Sequence, residues 1–265
     1  MSNLQTVLDS LRATRVIDLS QPLEEHMPNY PTHSKFFHNL WGSYWHGDRS
    51  LTYQLVLNEH NGTHVDAPAH FISDAKPKAH VTIDQVPVER LIGRGVRLDC
   101  RRFGEGDYVS REFITQWESR HGAIEAGDIV LFEFGWSAHW GRRPASQRYL
   151  ADWPGVGMDA AESLVSKPVA AIGVDTLSPD PPEALRTRPI HPLVLEKQVL
   201  IIENLANLDQ LPDFFVFVAL PLRIRGGSGS PVRAVALVEG HAPRRGAAEG
   251  KHKRIPRQAG RAGRS

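Results

Sequence analysis

A stretch of fourteen residues, Asn58 to Phe71 (NEHNGTHVDAPAHF), concentrates side chains that can bind metals or transfer protons. Its three histidines and one aspartate are His60, His64, Asp66 and His70, all at even-numbered positions. Neutral imidazole nitrogens and a carboxylate are good ligands for Zn²⁺, Mn²⁺ or Fe²⁺. A hydrogen-bonded polar loop is the alternative, but four such side chains at alternating positions favour a metal site.

The composition of this cluster favours an extended chain over a helix. On a helix, His60 and His64 would share a face and Asp66 would be rotated away from them. Gly62 and Pro68 are also poor helix residues. In an extended segment, alternate side chains point to the same side, so we expect the even-numbered residues to share one polar face. In this interpretation Gly62 leaves open space above the backbone.

Two further candidate ligands lie far away in the sequence. The segment RPIHPLVL contains His191, and VLIIENLANL contains Glu203 at the end of a strongly apolar strand. Burying an unpaired carboxylate would cost several kcal/mol. Glu203 is therefore expected to bind a metal or to form a salt bridge with an arginine, and we favour the metal.

Periodicity predicts the elements that position these residues. Leu4, Val7, Leu8 and Leu11 mark an amphipathic first helix. In LTYQLVLNEH, residues 51–60, the odd-numbered positions from 51 to 57 are apolar, which predicts a half-buried strand whose odd face meets the core. We expect helices over 110–121 and 158–167, and further strands at RVIDLS, GVRLDC, GDIVLFEFG, PVAAIGVDT, QVLIIENL, FFVFVAL and SPVRAVALV. Mixed strands and helices without a repeat predict an α/β fold.

Composition limits the classes of protein that fit. A chain of 265 residues can form one large domain, which we place at residues 1–240. Cys100 is the only cysteine, so an internal disulfide and a cysteine-built zinc site are excluded. Apolar runs typical of a signal peptide or a membrane span are absent from the sequence. We therefore expect a cytoplasmic protein without a membrane partner.

The last segment, residues 241–265, differs in charge from the rest. It carries eight Lys or Arg and one Glu, a net charge of +7. Because the whole chain carries +1, residues 1–240 carry a net charge of −6. Rich in Arg, Gly and Ala and without apolar periodicity, it is predicted to be a disordered, solvated extension. A nucleic-acid-binding arm is the less favoured alternative.

The run HNGTHVDAPAHF resembles the HxGTHxDxPxH signature of the metal-dependent cyclase family, which includes bacterial kynurenine formamidases and isatin hydrolases. The resemblance extends over most of residues 15–238, through IDLSQPL, IGVDTLSPD, IIENLANL and PLRIRGGSGSPVRAVAL in the expected order. It implies a β-rich, mixed-sheet "swivelling" β/β/α domain, commonly assembled as a homodimer with substrate pockets near the interface.

The resemblance also implies roles for the candidate residues. His60, His64 and Asp66 would bind one metal, and Asp66 and Glu203 would bridge to a second metal that His191 also holds. The expected cofactor is thus one or two divalent ions, Zn or Mn. His70 would be the catalytic acid/base, and its alternative role is that of a ligand or of a residue that supports the ligands.

Two features distinguish the branches of this family. Kynurenine formamidases carry tryptophan in an early P-x-W-P loop, where this sequence reads MPNYPTH with Tyr30, our candidate substrate-binding residue. The aromatic segment over residues 34–51 is closer to the isatin hydrolase branch, which is reported with a single manganese. Its rings can enclose an aromatic substrate, or contribute to the core or to a dimer contact: Phe36, Phe37, Trp41, Tyr44 and Trp45.

These observations predict a metal-dependent hydrolase that cleaves the amide bond of an aryl or cyclic compound. A divalent metal lowers the pKa of bound water from about 16 toward 7, and His70 would carry the proton to the leaving nitrogen. N-formylkynurenine and isatin are the candidate substrates. The alternative is a non-catalytic metal-binding or ligand-sensing protein with the same fold.

Overall fold

The computed structural model describes residues 3–184 and 186–240, and the predicted tail at 241–265 lies outside this part of the chain. The helices are α1 (Asn3–Ala13), α2 (Arg111–His121), α3 (Met158–Ser166) and α4 (Ile190–Leu195). The strands are β1 (Thr14–Asp18), β2 (Phe37–Gly42), β3 (Thr52–Val56), β4 (His64–Asp66), β5 (Ile92–Asp99), β6 (Tyr108–Val109), β7 (Ile129–Glu133), β8 (Gly155–Val156), β9 (Ala171–Val174), β10 (Leu200–Glu203), β11 (Phe214–Val218), β12 (Gly229–Pro231) and β13 (Val235–Glu239).

One nine-stranded sheet organises the molecule, in the order β1-β13-β11-β5-β7-β9-β10-β4-β12. Its centre, β5, β7, β9 and β10, is parallel. The strands on both sides pair antiparallel. The apolar runs predicted from the sequence occupy these strands, and the predicted mixed α/β fold is confirmed.

Three of the central strands, β7, β9 and β10, are buried on both faces, as expected for parallel strands covered on each side. In β7, Val130 and Phe132 join a core packed against α2, α3 and α4. Ile129 and Leu131 point into a second core. That second core also takes Ile17 from the edge strand β1 and Val65 from β4, next to the opposite edge, so the sheet curls around it.

The predicted helices form where the sequence places them. Ser110 caps α2, since its Oγ accepts a hydrogen bond from the backbone N–H of Phe113 at 3.3 Å. One face of α2 then buries Phe113, Ile114 and Trp117 in the first core. No helix in the described ranges is long and apolar enough to cross a membrane.

The strand predicted over residues 51–60 is present, but the prediction that its odd-numbered face is buried was wrong. It forms β3, but β3 pairs only with β2, in a two-stranded sheet separate from the main one. Its odd-numbered side chains do not meet the core: Leu51, Tyr53 and Leu55 are 41%, 40% and 53% exposed. Alternation identified one apolar face, but it does not reveal whether this chain or another molecule covers that face.

Candidate metal centre

Strand pairing brings the two distant halves of the site together. β4 lies between β10 and β12, and Glu203 of β10 is the antiparallel partner of His64. Asp66, two residues further along β4, shares the face of His64, while Val65 points into the second core. Packing of the helix α4 against β10 adds His191, which is fully buried.

The expectation of a continuous extended segment was only partly right. Extended pairing covers His64–Asp66, whereas His60 lies in a turn and His70 ends a short 3₁₀ helix, Pro68–His70. Gly62 makes the turn with a φ of 63°, a conformation that favours glycine. The space above it is not open, because a Cβ there would lie 2.4 Å from Leu23 Cδ2.

The predicted ligands converge on one buried point. His64 Nε2 lies 3.4 Å from Asp66 Oδ1 and 3.4 Å from Glu203 Oε2. His191 Nε2 lies 3.5 Å from Asp66 Oδ2 and 3.3 Å from Glu203 Oε1. Glu203 forms no ion pair with an arginine among the described residues, so the alternative of an Arg salt bridge is not the arrangement found here.

Hydrogen bonds orient both imidazoles toward this point. His64 Nδ1 lies 2.8 Å from the carbonyl oxygen of Gly62, so that nitrogen must carry the hydrogen. His191 Nδ1 lies 2.5 Å from Asp180 Oδ2 and donates to it in the same way. Each ring therefore presents the lone pair of Nε2 to the carboxylates, which is the arrangement of histidines that bind metals.

A third chain of hydrogen bonds fixes His60. Ser228 Oγ lies 2.7 Å from Glu59 Oε2, to which it donates, and 2.9 Å from His60 Nε2, from which it accepts. His60 Nδ1 then presents its lone pair to Asp66 Oδ1 at 2.6 Å. Two acceptors at this distance require a proton between them, and a metal ion that binds both atoms would replace that proton.

Three polar atoms in the centre are buried without a hydrogen-bond partner in the described chain: Asp66 Oδ2, His191 Nε2 and Glu203 Oε1. Buried polar atoms rarely stay unpaired, so these three point to a missing ligand. Two groups of ligand atoms lie within 4.8 Å of one another and share Asp66: His60–His64–Asp66 and Asp66–His70–His191. The residues present fit a divalent metal.

The charges of the centre fit a cation as well. Burial opposes protonation of His64, yet hydrogen bonds to Asp66 and Glu203 raise the pKa of His64 to about 10. Burial likewise opposes ionisation of Glu203, yet His191 and His64 lower its pKa to about 2. The two carboxylates thus stay ionised and demand positive charge, which protons on histidine or a metal ion can supply.

Two other histidines at the site are kept neutral. His70 stacks on His60 with ring centroids 4.0 Å apart, and burial lowers the pKa of His70 to about 3. His33 lies 5.4 Å from His60, and burial lowers its pKa to about 4. A neutral imidazole can accept a proton, so His70 has the state that a general base needs.

Sequence reasoning assigned no role to several residues that shape the centre. Asp180 lies in the quoted segment IGVDTLSPD and Ser228 in RGGSGS, but nothing local distinguishes them from turn residues. Asp180 also accepts the backbone N–H of Ile190 at 2.9 Å, so it fixes the start of α4. His33 could have been found only from the unusual number of histidines, thirteen in the chain.

A small cavity of about 10 Å³ lies at the centre, room for about one water molecule. Tyr30, the candidate substrate-binding residue, lines it beside His33. A second cavity of about 470 Å³ adjoins it and shares Asn29 and His33. The aromatic residues of the 34–51 segment line neither cavity. Phe36 is buried, and the others are exposed: Phe37, Trp41, Tyr44 and Trp45.

Comparisons with known proteins identify the family of the chain. Residues 17–181 match the Cyclase family, described as "Putative cyclase". An isatin hydrolase of Roseibium aggregatum is 34% identical over 194 residues, 69% of this chain and 73% of that protein. A kynurenine formamidase of Erythrobacter litoralis is 31% identical over 223 residues, 83% of this chain and 93% of that protein.

The fold agrees equally well with a solved structure. Isatin hydrolase A from Labrenzia aggregata, bound to benzyl benzoate, superposes with a TM-score of 0.82 at 30% identity, covering 90% of this chain and 100% of that one. The predicted resemblance and the predicted enzyme class, a hydrolase, are confirmed over the non-catalytic alternative. The chain belongs to the Cyclase family.

Proposed function

We propose that the protein is a metal-dependent hydrolase of the amide bond in aryl or cyclic amides. Isatin-like cyclic amides come first as substrates and N-formylkynurenine second, in the order of similarity of the relatives above. The observation that carries the proposal is the buried set of converging ligand atoms without partners, placed next to a neutral histidine.

The roles of the residues follow from their positions. His60, His64, Asp66, His191 and Glu203 would hold one or two divalent ions, Zn or Mn. Such an ion supplies Lewis acidity and lowers the pKa of water. Two trios that share Asp66 support a bridging role for this carboxylate.

We assign proton transfer to His70. The amine of an amide is a poor leaving group unless it is protonated, so a base that takes a proton from water must return it to nitrogen. Burial keeps His70 neutral and so able to accept a proton, and the charge of Asp66 offsets part of the cost that burial places on the imidazolium. Tyr30 and His33 lie with ring centroids 5.1 Å apart at an interplanar angle of 50° and offer an aromatic substrate a ring surface.

The exposed hairpin supports a homodimer as the working assembly. A two-stranded hairpin is marginally stable alone, and exposed apolar patches mark interfaces. In β2 and the turn after it, Trp41 and Trp45 are 77% and 76% exposed. We propose that a second copy covers this hairpin. We also place the protein in the cytoplasm, which suits the unpaired, buried thiol of Cys100.

Hydrolysis of the two candidate substrates tests the proposal. Purified protein supplied with Zn²⁺ or Mn²⁺ should open isatin or deformylate N-formylkynurenine, and a chelator should stop the reaction. Asp66→Ala should abolish both metal retention and hydrolysis, because it removes the carboxylate shared by both trios. Full activity of Asp66→Ala, or of chelator-treated protein, would refute the proposal.

A further inference from the structure

Arg188 is a cation beside the metal centre that no carboxylate in the described part of the chain neutralises. Half-buried and lining the small cavity, it stacks its guanidinium over the ring of Tyr30 at 4.2 Å and near that of Phe71 at 5.7 Å. Within the described ranges its guanidinium makes no hydrogen bond and no ion pair. Five N–H donors held between two aromatic rings therefore remain for a ligand.

The backbone holds Arg188 in this place. Its φ of 41° lies in the left-handed region, which disfavours a side chain of this size. Its N–H donates to the carbonyl of Ala184 at 2.7 Å, and the next residue, Pro189, leads directly into α4. The arginine is thus fixed relative to the helix that carries His191.

The surroundings of Arg188 carry more positive than negative charge. The adjoining cavity is lined by Lys35 and Arg143, neither of which meets a carboxylate among the described residues. Arg143 contacts only a neutral amide there, Asn29 Oδ1, at 3.3 Å. The one carboxylate that lines either cavity in the described chain is Glu203, which already contacts His64 and His191.

Guanidinium recognises carboxylate through two parallel N–H···O bonds, and stacking on aromatic rings keeps that fork oriented. We infer that Arg188 is the receptor for an organic carboxylate on an aryl compound, with Tyr30 and Phe71 as the surface that holds the fork. This inference rests on the proposed function for its location but extends it to the charge of the ligand.

The carboxylate can come from two sources that share this chemistry. It can be a substituent of the substrate. It can also arise in the reaction, because hydrolysis of a cyclic amide breaks the C–N bond, joins the water oxygen to the carbonyl carbon and transfers a proton to nitrogen, leaving a carboxylate and an aryl amine in one product. In both cases the receptor distinguishes anionic from neutral ligands.

Binding of a probe without an amide bond tests the receptor separately from hydrolysis. Calorimetry on metal-loaded protein compares phenylglyoxylate with the neutral acetophenone in wild type, Arg188→Lys, Arg188→Gln and Arg120→Gln. Arg120 is the matched control, an exposed arginine of α2 that lines neither cavity. Arg188→Gln should weaken the binding of phenylglyoxylate about tenfold or more relative to that of acetophenone. Arg188→Lys should weaken it less, and Arg120→Gln should leave it unchanged.

Kinetics then identify the source of the carboxylate. If the substrate carries it, wild type should prefer 2-formamidobenzoate to formanilide in kcat/KM, and Arg188→Gln should lose that preference. If the reaction creates it, Arg188→Gln should raise the inhibition constant of 2-aminophenylglyoxylate, the ring-opened product of isatin, with no preference between the formanilides.

Two binding results would overturn the inference: equal phenylglyoxylate affinity in wild type and Arg188→Gln, or an equal loss of both probes, which indicates a structural role. Arg188-dependent binding without any amide hydrolysis would instead uphold the receptor and refute the proposed function.

Discussion

The metal centre and the β2–β3 hairpin are both rich in aromatic rings, but those of the centre are buried and those of the hairpin are exposed. At the metal centre His60, His64 and Asp66 are at least 92% buried, and their neighbours fix nearly every polar atom. On the hairpin, Trp41 and Trp45 project into solvent. The metal centre has buried polar groups that need a bound ion. The hairpin has exposed apolar groups that need another protein surface.

This difference separates two kinds of incompleteness. Burying ionised groups is costly unless they are paired, so the unpaired atoms of the centre indicate an ion. Exposing large apolar side chains costs less per residue, but a contiguous patch of them indicates another protein surface. Changes at one region should therefore leave the other intact.

Replacing His70 should have the largest effect among the changes that leave the carboxylates in place. If His70 moves the proton, His70→Gln should lower kcat by about 10²- to 10⁴-fold, the usual contribution of general acid–base catalysis. Its metal content, by elemental analysis, should stay at the wild-type level. Loss of metal together with activity would make His70 a ligand, and unchanged hydrolysis would deny it any role.

Asp180→Asn tests the support behind His191. The amide cannot match the charge-assisted bond to His191 Nδ1, so we expect metal affinity to fall about 10- to 100-fold, as for other partners of metal-binding histidines. Competition with a metal-binding dye measures the change. Asp74→Asn, at an exposed position, is the control. Equal affinity in both variants would contradict a role for Asp180 in orienting the imidazole.

Substitutions in the hairpin should change the oligomeric state of the protein without changing its metal content. Trp41→Ser combined with Trp45→Ser should weaken the proposed dimer about tenfold or more, since buried tryptophans dominate interfaces. Sedimentation over a range of protein concentrations measures this, with Val88→Ser, which is 53% exposed in the wild type, as control. A wild-type protein that is monomeric at all concentrations would refute the dimer. Loss of metal from the tryptophan variant would contradict the independence of the two regions.

The metal-free protein should become less stable as pH rises. The pKa of His64 is raised from 6.5 to about 10 in the folded state, so its stabilisation is complete below pH 6.5 and disappears as pH approaches 10. The melting temperature of chelator-treated protein should fall by several degrees between pH 7 and pH 9. Metal-loaded protein should not follow, because ligands without protons bind metal better. Parallel curves for the two forms would contradict this account.

The sequence predicted what is local and failed where tertiary context decides. His60, His64, Asp66 and His70 could be grouped because they are close in sequence. Their convergence could be expected, but the turn at His60 and the 3₁₀ helix at His70 could not, because alternation alone cannot reveal where an extended segment ends. The central strands could be predicted from long apolar runs, because a strand buried on both faces is apolar at nearly every position.

Other parts of the site depend on packing that local patterns do not encode. Asp180 orients His191 because the helix α4 places that imidazole within hydrogen-bond distance of its carboxylate. Arg188 faces the cavity because the turn that carries it places its guanidinium over the ring of Tyr30. The apolar face of β3 was visible as a pattern, yet alternation carries no information about which molecule covers it. The division of the chain at residue 240 stays a prediction.

The metal content of wild-type protein, purified without added metal or chelator, tests the central claim most directly. Elemental analysis should find one or two divalent ions per chain. About two, rich in zinc, would favour a site bridged by Asp66 and Glu203, and about one manganese would favour a single ion as expected for isatin-like amides. Protein that hydrolyses its amide substrate at full rate with no metal bound would contradict the account.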